Sequence, residues 1–156
     1  MPVLRDARVA KKAGEAHRGL RVLFPLDGSE QGYAGLDRAL ELLPASSIHA
    51  TLLVVLQDFR GAPEDMVGMF EDDVDDEVFP TEDSGLLVLR QATKRLREKG
   101  VKMTLKLAKG KIAREILAEA GNHDLLVMHR GTHHRFFGGA MGLARKAPCS
   151  VLLVKG

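Results

Sequence analysis

Apolar residues recur along this chain in two rhythms, short continuous runs and longer stretches spaced three or four apart. The first run, Arg21 to Leu26 (RVLFPL), predicts a core strand closed by the turn Asp27-Gly28-Ser29. Tyr33, Leu36, Leu40 and Leu43 then share one helical face, which predicts a helix over Glu30 to Leu43, stopped by Pro44. Ile48 to Leu56 (IHATLLVVL) is too continuous to have a solvent face, so it predicts a strand in a sheet covered on both sides. Ser84 is placed to cap a helix over Gly85 to Lys99, with Leu89, Ala92 and Leu96 inward and Gly100 as its stop. Val101 to Leu107 alternates apolar and polar residues, as a strand near a sheet edge would.

Lys111 to Ala120 reads as a helix buried along Ile112, Ile116 and Leu117, with Gly121 beyond its end. Asp124 leads into an apolar run, Leu125 to Met128, followed by a basic loop. A short helix over Ala140 to Lys146 and a last strand, Ser150 to Val154, complete the order β-α-β-loop-α-β-α-β-α-β. That alternation predicts an α/β fold, one doubly wound domain on a five-stranded parallel sheet with helices on both faces. Residues 1–19 stand apart as an N-terminal appendage, either a tail or a short docked helix.

Length and composition narrow the class. At 156 residues the chain suits a single domain with a complete core. No apolar run approaches the ~20 residues of a membrane helix, and the basic N-terminus lacks the apolar stretch of a secretory signal. A cytoplasmic location is the expectation. The single Cys149 excludes an internal disulfide and a multi-cysteine metal site, and beside Pro148 it reads as a buried, inert thiol.

The net charge of +2 hides a partition. Glu64 to Asp83 holds ten acidic residues and no basic one, whereas from Leu86 onward fifteen Lys or Arg face four acids. The acidic stretch, residues 58–83 with its flanks, is too charged to pack and reads as a mobile or partner-binding loop. It lacks the glycine that an EF-hand calcium loop needs for its sharp turn. The basic residues are spread over helix faces with few aromatics between them, which favours a solvated surface over nucleic-acid binding.

Ligands of doubly wound sheets bind beyond the carboxyl ends of the strands, where the strand order reverses. With strands ordered 3-2-1-4-5 that crevice lies between strands one and four, and the loops lining it are Asp27-Gly28-Ser29 and His129 to Gly139. The second loop carries His129, Arg130, His133, His134 and Arg135 among Gly131, Gly138 and Gly139, a composition suited to a small anion such as phosphate. Asp27 either accepts hydrogen bonds from a ribose or base edge or simply supports its turn. Gly131 either admits a phosphate close to the backbone or supplies positive φ. A loop His-x3-His-His without a nearby carboxylate or thiol is a weak metal pattern. No GxSxG and no GxxxxGK[ST] occurs, and no histidine lies in the Ser29 turn, so catalysis has little support.

Taken together, VLFPLDGSE at the first strand and turn, LLVV at 52–55, GKIAREIL at 110–117, and LLVMHRG with APCSVLLV at the last two strands resemble the universal stress protein family. The resemblance covers residues 20–156. It implies a sheet ordered 3-2-1-4-5, a non-catalytic role in stress response, and a homodimer paired through the last strand, here Val151, Leu152, Leu153 and Val154. One branch of that family binds ATP through Gly, two residues, Gly, nine residues, Gly and Ser or Thr. Here Met128 stands at the first Gly and Gly131 at the second; Gly138 follows after six residues, and Gly139 stands at the hydroxyl position. The resemblance therefore implies a modified pocket for ATP or another adenine nucleotide. In it Asp27 and Val55 would contact the nucleoside, while Gly131, Gly138, Gly139 and Arg130 would face the phosphates. The alternative is an interaction module of the same family that binds no nucleotide.

Overall fold

Strands Leu20–Leu26 (β1), Ile48–Gln57 (β2), Lys102–Gly110 (β3), Leu125–His129 (β4) and Ser150–Val154 (β5) pair in parallel in one sheet. The sheet is ordered β3-β2-β1-β4-β5. Helices Glu30–Leu42 (α1), Glu82–Glu98 (α2), Ile112–Ala120 (α3) and Gly139–Lys146 (α4) connect them. The computed structural model describes residues 19–57, 82–129 and 139–155. The appendage expected before Gly19 and most of the acidic stretch lie outside these residues. None of the described helices is long and apolar enough to cross a membrane.

The alternation of side chains along each strand divides the core in two. Val22 and Phe24 of β1 with Ala50, Leu52 and Val54 of β2 meet α1 and α2 through Leu36, Leu40, Leu89 and Leu96. On the opposite face Leu23, Leu53 and Val55 meet α3 and α4 through Ala113, Ile116 and Leu143. β2 is thus buried on both sides, as its unbroken apolar run demands. Each fully buried Leu contributes roughly 1.5–3 kcal/mol over leaving it in water.

Several details differ from the sequence expectation. α2 begins at Glu82, not at Gly85, so Ser84 lies within its first turn and is not the residue that precedes the helix. Glu82 and Asp83 are the reason, because their carboxylates oppose the positive end of the helix dipole. The inward stripe of α3 is Ala113, Ile116 and Ala120, with Ile112 and Leu117 flanking it half-buried. Small alanines let the helix sit close to the sheet, which rotates the larger residues outward. β3 runs on to Gly110 and forms one end of the sheet, as its alternating pattern suggested. Cys149 is half-buried, and burial pushes its thiol above the ordinary value, away from thiolate reactivity.

Candidate functional site

From β1 the chain builds outward to β2 and β3, then crosses back to β4 and β5 on the other side of β1, so the strand order reverses between β1 and β4. Val22 pairs with Leu125. From that pair β1 runs to Leu26 and β4 to His129, so the two strands finish side by side. Asp27, the first residue past β1, therefore faces the last residue of β4 across the reversal point.

The Asp27 turn is built by its own side chains. Gly28 takes φ +83°, a conformation that L side chains rarely adopt. Ser29, in extended backbone, caps α1: its Oγ accepts from the Gly32 amide at 2.9 Å. The same Ser29 hydroxyl donates to Asp27 Oδ1 at 2.6 Å, and the Ser29 amide donates to that oxygen at 2.9 Å. The other carboxylate oxygen, Oδ2, lies 3.9 Å from His129 Nε2, an ion-pair distance longer than a hydrogen bond.

Burial raises the Asp27 pKa, but the His129 imidazole and the two Ser29 donors outweigh it and hold the carboxyl down at about 2. Asp27 is consequently a fixed anion at neutral pH and a poor general base. Ser29 gives its proton to this weak base, while His129 faces Asp27, so the three groups do not form a nucleophile–base relay.

Helix α1 presses directly on this corner. A Cβ on Gly35 would sit 2.6 Å from the His129 Cβ and 3.4 Å from Val154 Cγ2. Tyr33, one helical turn after Ser29, stacks under the Arg95 guanidinium at 4.5 Å, and Arg95 Nε reaches Asp37 Oδ1 at 3.1 Å. Burial raises the Tyr33 hydroxyl above its ordinary value; the Arg95 charge opposes that and the Asp27 charge adds to it.

The expected site residues fall into four groups. Asp27 and His129 are brought together at the crevice. Val55 and Met128, 6% and 4% exposed, belong to the apolar cluster on the α3 and α4 face. Gly139 opens α4. Arg130, Gly131, His133, His134, Arg135 and Gly138 lie outside the described residues. The double role of Ser29 was not anticipated, although a serine directly before an amphipathic run is a cap signal. Among the described residues no group of three or more His, Cys, Asp or Glu could hold a metal ion.

The universal stress protein family profile matches residues 20–155, nearly the whole described domain. The chain belongs to the universal stress protein family. A universal stress protein solved in complex with cAMP is 21% identical, with a TM-score of 0.62 over 88% of this chain and 97% of that one. An AMP-bound family member from Arabidopsis thaliana is 20% identical, with a TM-score of 0.64 over 87% of this chain and 91% of that one. A family protein from Burkholderia pseudomallei is 29% identical, with a TM-score of 0.57 over 87% and 96%. No functionally curated protein matches the chain. The fold of these universal stress proteins is the five-stranded α/β sheet described above.

Proposed function

We propose that this universal stress protein is a non-catalytic, cytoplasmic stress-response protein with a modified adenine-nucleotide or anion pocket between β1 and β4. The observation that carries this reading is the fixed anion of Asp27 at the reversal point of the sheet, held by Ser29 and facing His129. A carboxylate in that crevice accepts hydrogen bonds from a ribose or the amino edge of a base. Two of the solved relatives carry cAMP or AMP, ligands of the same class. Val55 and Met128, almost fully buried near the ends of β2 and β4, back the pocket from the core in this reading, and Gly131, Gly138, Gly139 and Arg130 are its phosphate-facing groups. Homodimerisation through Val151, Leu152, Leu153 and Val154 accords with β5 being an apolar strand at the sheet edge.

One observation favours the second reading, an interaction module without nucleotide. His129 lies against Asp27 Oδ2, the carboxylate oxygen that Ser29 does not bind, where a ligand would have to compete with it.

The test is direct. Purified protein is denatured and the supernatant assayed for adenine nucleotide; melting is then followed with ATP, ADP and AMP, with and without Mg²⁺. Carried nucleotide, or a stabilisation of roughly 2.7 kcal/mol at a hundredfold excess over Kd that Asp27→Ala removes, is expected. No carried nucleotide and no shift at millimolar ligand leaves the interaction module as the function.

A further inference from the structure

β3 forms one end of the sheet, and among the described residues no strand pairs with its outer side. On its inner side Lys102–Gly110 keeps one unbroken register with β2, from His49 opposite Lys102 to Gln57 opposite Gly110. The outer side therefore presents a regular row of amide and carbonyl groups about 30 Å long. Such edges are commonly blunted by a bulge, a proline or lysines. β3, KMTLKLAKG, has no proline and keeps its register without a bulge, and its lysines repel a basic strand while leaving the edge open to an acidic one.

The two faces of this edge differ in chemistry. On the α2 side Met103 and Leu107 pack against the core, while Leu105 between them is 47% exposed. On the α3 side stand Lys102, Thr104 and Lys106, all exposed. A groove of about 350 Å³ opens beside them, lined among others by His49, Thr51, Thr104, Lys106 and Glu119. It exists because α3 is short: nine residues of helix cover ~14 Å, and the ten of β2 run ~33 Å. Lys106 Nζ donates to Glu119 Oε1 at 2.7 Å, which uses one of its three hydrogens. His49 Nε2 and Thr104 Oγ1 hydrogen-bond at 2.8 Å across the groove floor.

We infer that the outer edge of β3 docks an extended peptide of a partner protein in which acidic and apolar residues alternate. The peptide backbone adds a sixth strand to the sheet. Its apolar side chains cover Leu105 and the rim of Met103, and its carboxylates meet Lys102 and Lys106 at the mouth of the groove. A second copy of β3 is a poor occupant, because like-charged lysines would face one another across the new pair. The alternation at period two makes the recognition specific, since a one-residue slip puts carboxylates on Leu105.

The experiment uses the full chain, ¹⁵N-labelled, with three synthetic octapeptides: alternating Val and Glu, alternating Val and Lys, and the Val/Glu peptide N-methylated at alternate residues. The Val/Glu peptide is expected to shift the β3 amides saturably, and the other two to leave them in place. Lys102→Glu with Lys106→Gln, whose amide can still donate to Glu119, is expected to weaken binding about tenfold at low salt with little change in melting temperature. The inference is overturned if β3 amides stay unmoved at millimolar Val/Glu peptide, or if the acidic and basic peptides bind equally. It is also overturned if the double variant lowers the mass seen by light scattering, because a second copy then occupies the edge.

Discussion

Replacing Asp27 by Asn keeps its shape and removes its charge, and the consequence is confined to a narrow pH range. Burial alone would raise this carboxyl, yet His129 and Ser29 bring it from 3.8 to about 2. The folded protein therefore binds the proton more weakly than the unfolded chain does. Stability gained from the anion is present above the unfolded value and is lost as pH falls toward the folded one. At about 1.4 kcal/mol per pH unit the difference comes to roughly 2 kcal/mol, and the carboxylate is sheltered enough, 22% exposed, for most of it to register. Urea unfolding followed by far-UV circular dichroism, at half-unit steps from about pH 2 to pH 6, measures it for wild type and Asp27→Asn. The wild-type advantage should open by about 2 kcal/mol between about pH 2 and pH 5 and stay level above. A gap that is constant across this range would refute the reasoning that His129 and Ser29 stabilise the anion.

Four further outcomes are expected. Gly35→Ala should destabilise by about 1–3 kcal/mol in thermal melts, because its Cβ meets His129 at 2.6 Å; a gain of the size helix propensity alone predicts would show that α1 moves away freely. Ser29→Ala should cost about 1–2 kcal/mol through loss of the α1 cap, and it should raise the Asp27 pKa in a ¹³C carboxyl titration. Leu53→Ala, in a site 1% exposed between α3 and the sheet, should cost roughly 2–5 kcal/mol in urea unfolding. Leu153→Asp should give monomers by light scattering if β5 pairs with a second copy, and an unchanged mass removes that interface from the proposed function.

Much of the fold was legible because its strongest signal is burial. The run Ile48 to Leu56 became β2 with one residue added, and its two-sided apolarity required helices on both faces. The order of strands came with the family resemblance, because the alternation of elements gives a parallel sheet without fixing which strands are neighbours. Less legible were features set by small residues and by local charge. Ala113 and Ala120 carry little weight in an apolar pattern, yet they set the rotation of α3. Ser84 looked like a cap, but two acids immediately before it extend α2 by a turn. At the site Asp27 stood out by its turn, whereas its contact with His129 depends on where β4 stops relative to β1. No spacing within one chain segment encodes that level ending. Ser29 carried a readable cap signal; its second bond, to Asp27, depends on the backbone shape that Gly28 permits.

The Ser29 hydroxyl accepts from the Gly32 amide while donating to Asp27, so one proton chain links the carboxylate to the first turn of α1. Anything that draws on Asp27, whether a ligand or an added proton, changes how firmly that turn is tethered. The Gly32 amide is then a built-in reporter: its hydrogen-exchange rate reads the state of the crevice from the helix above it, without a label and without touching the crevice itself.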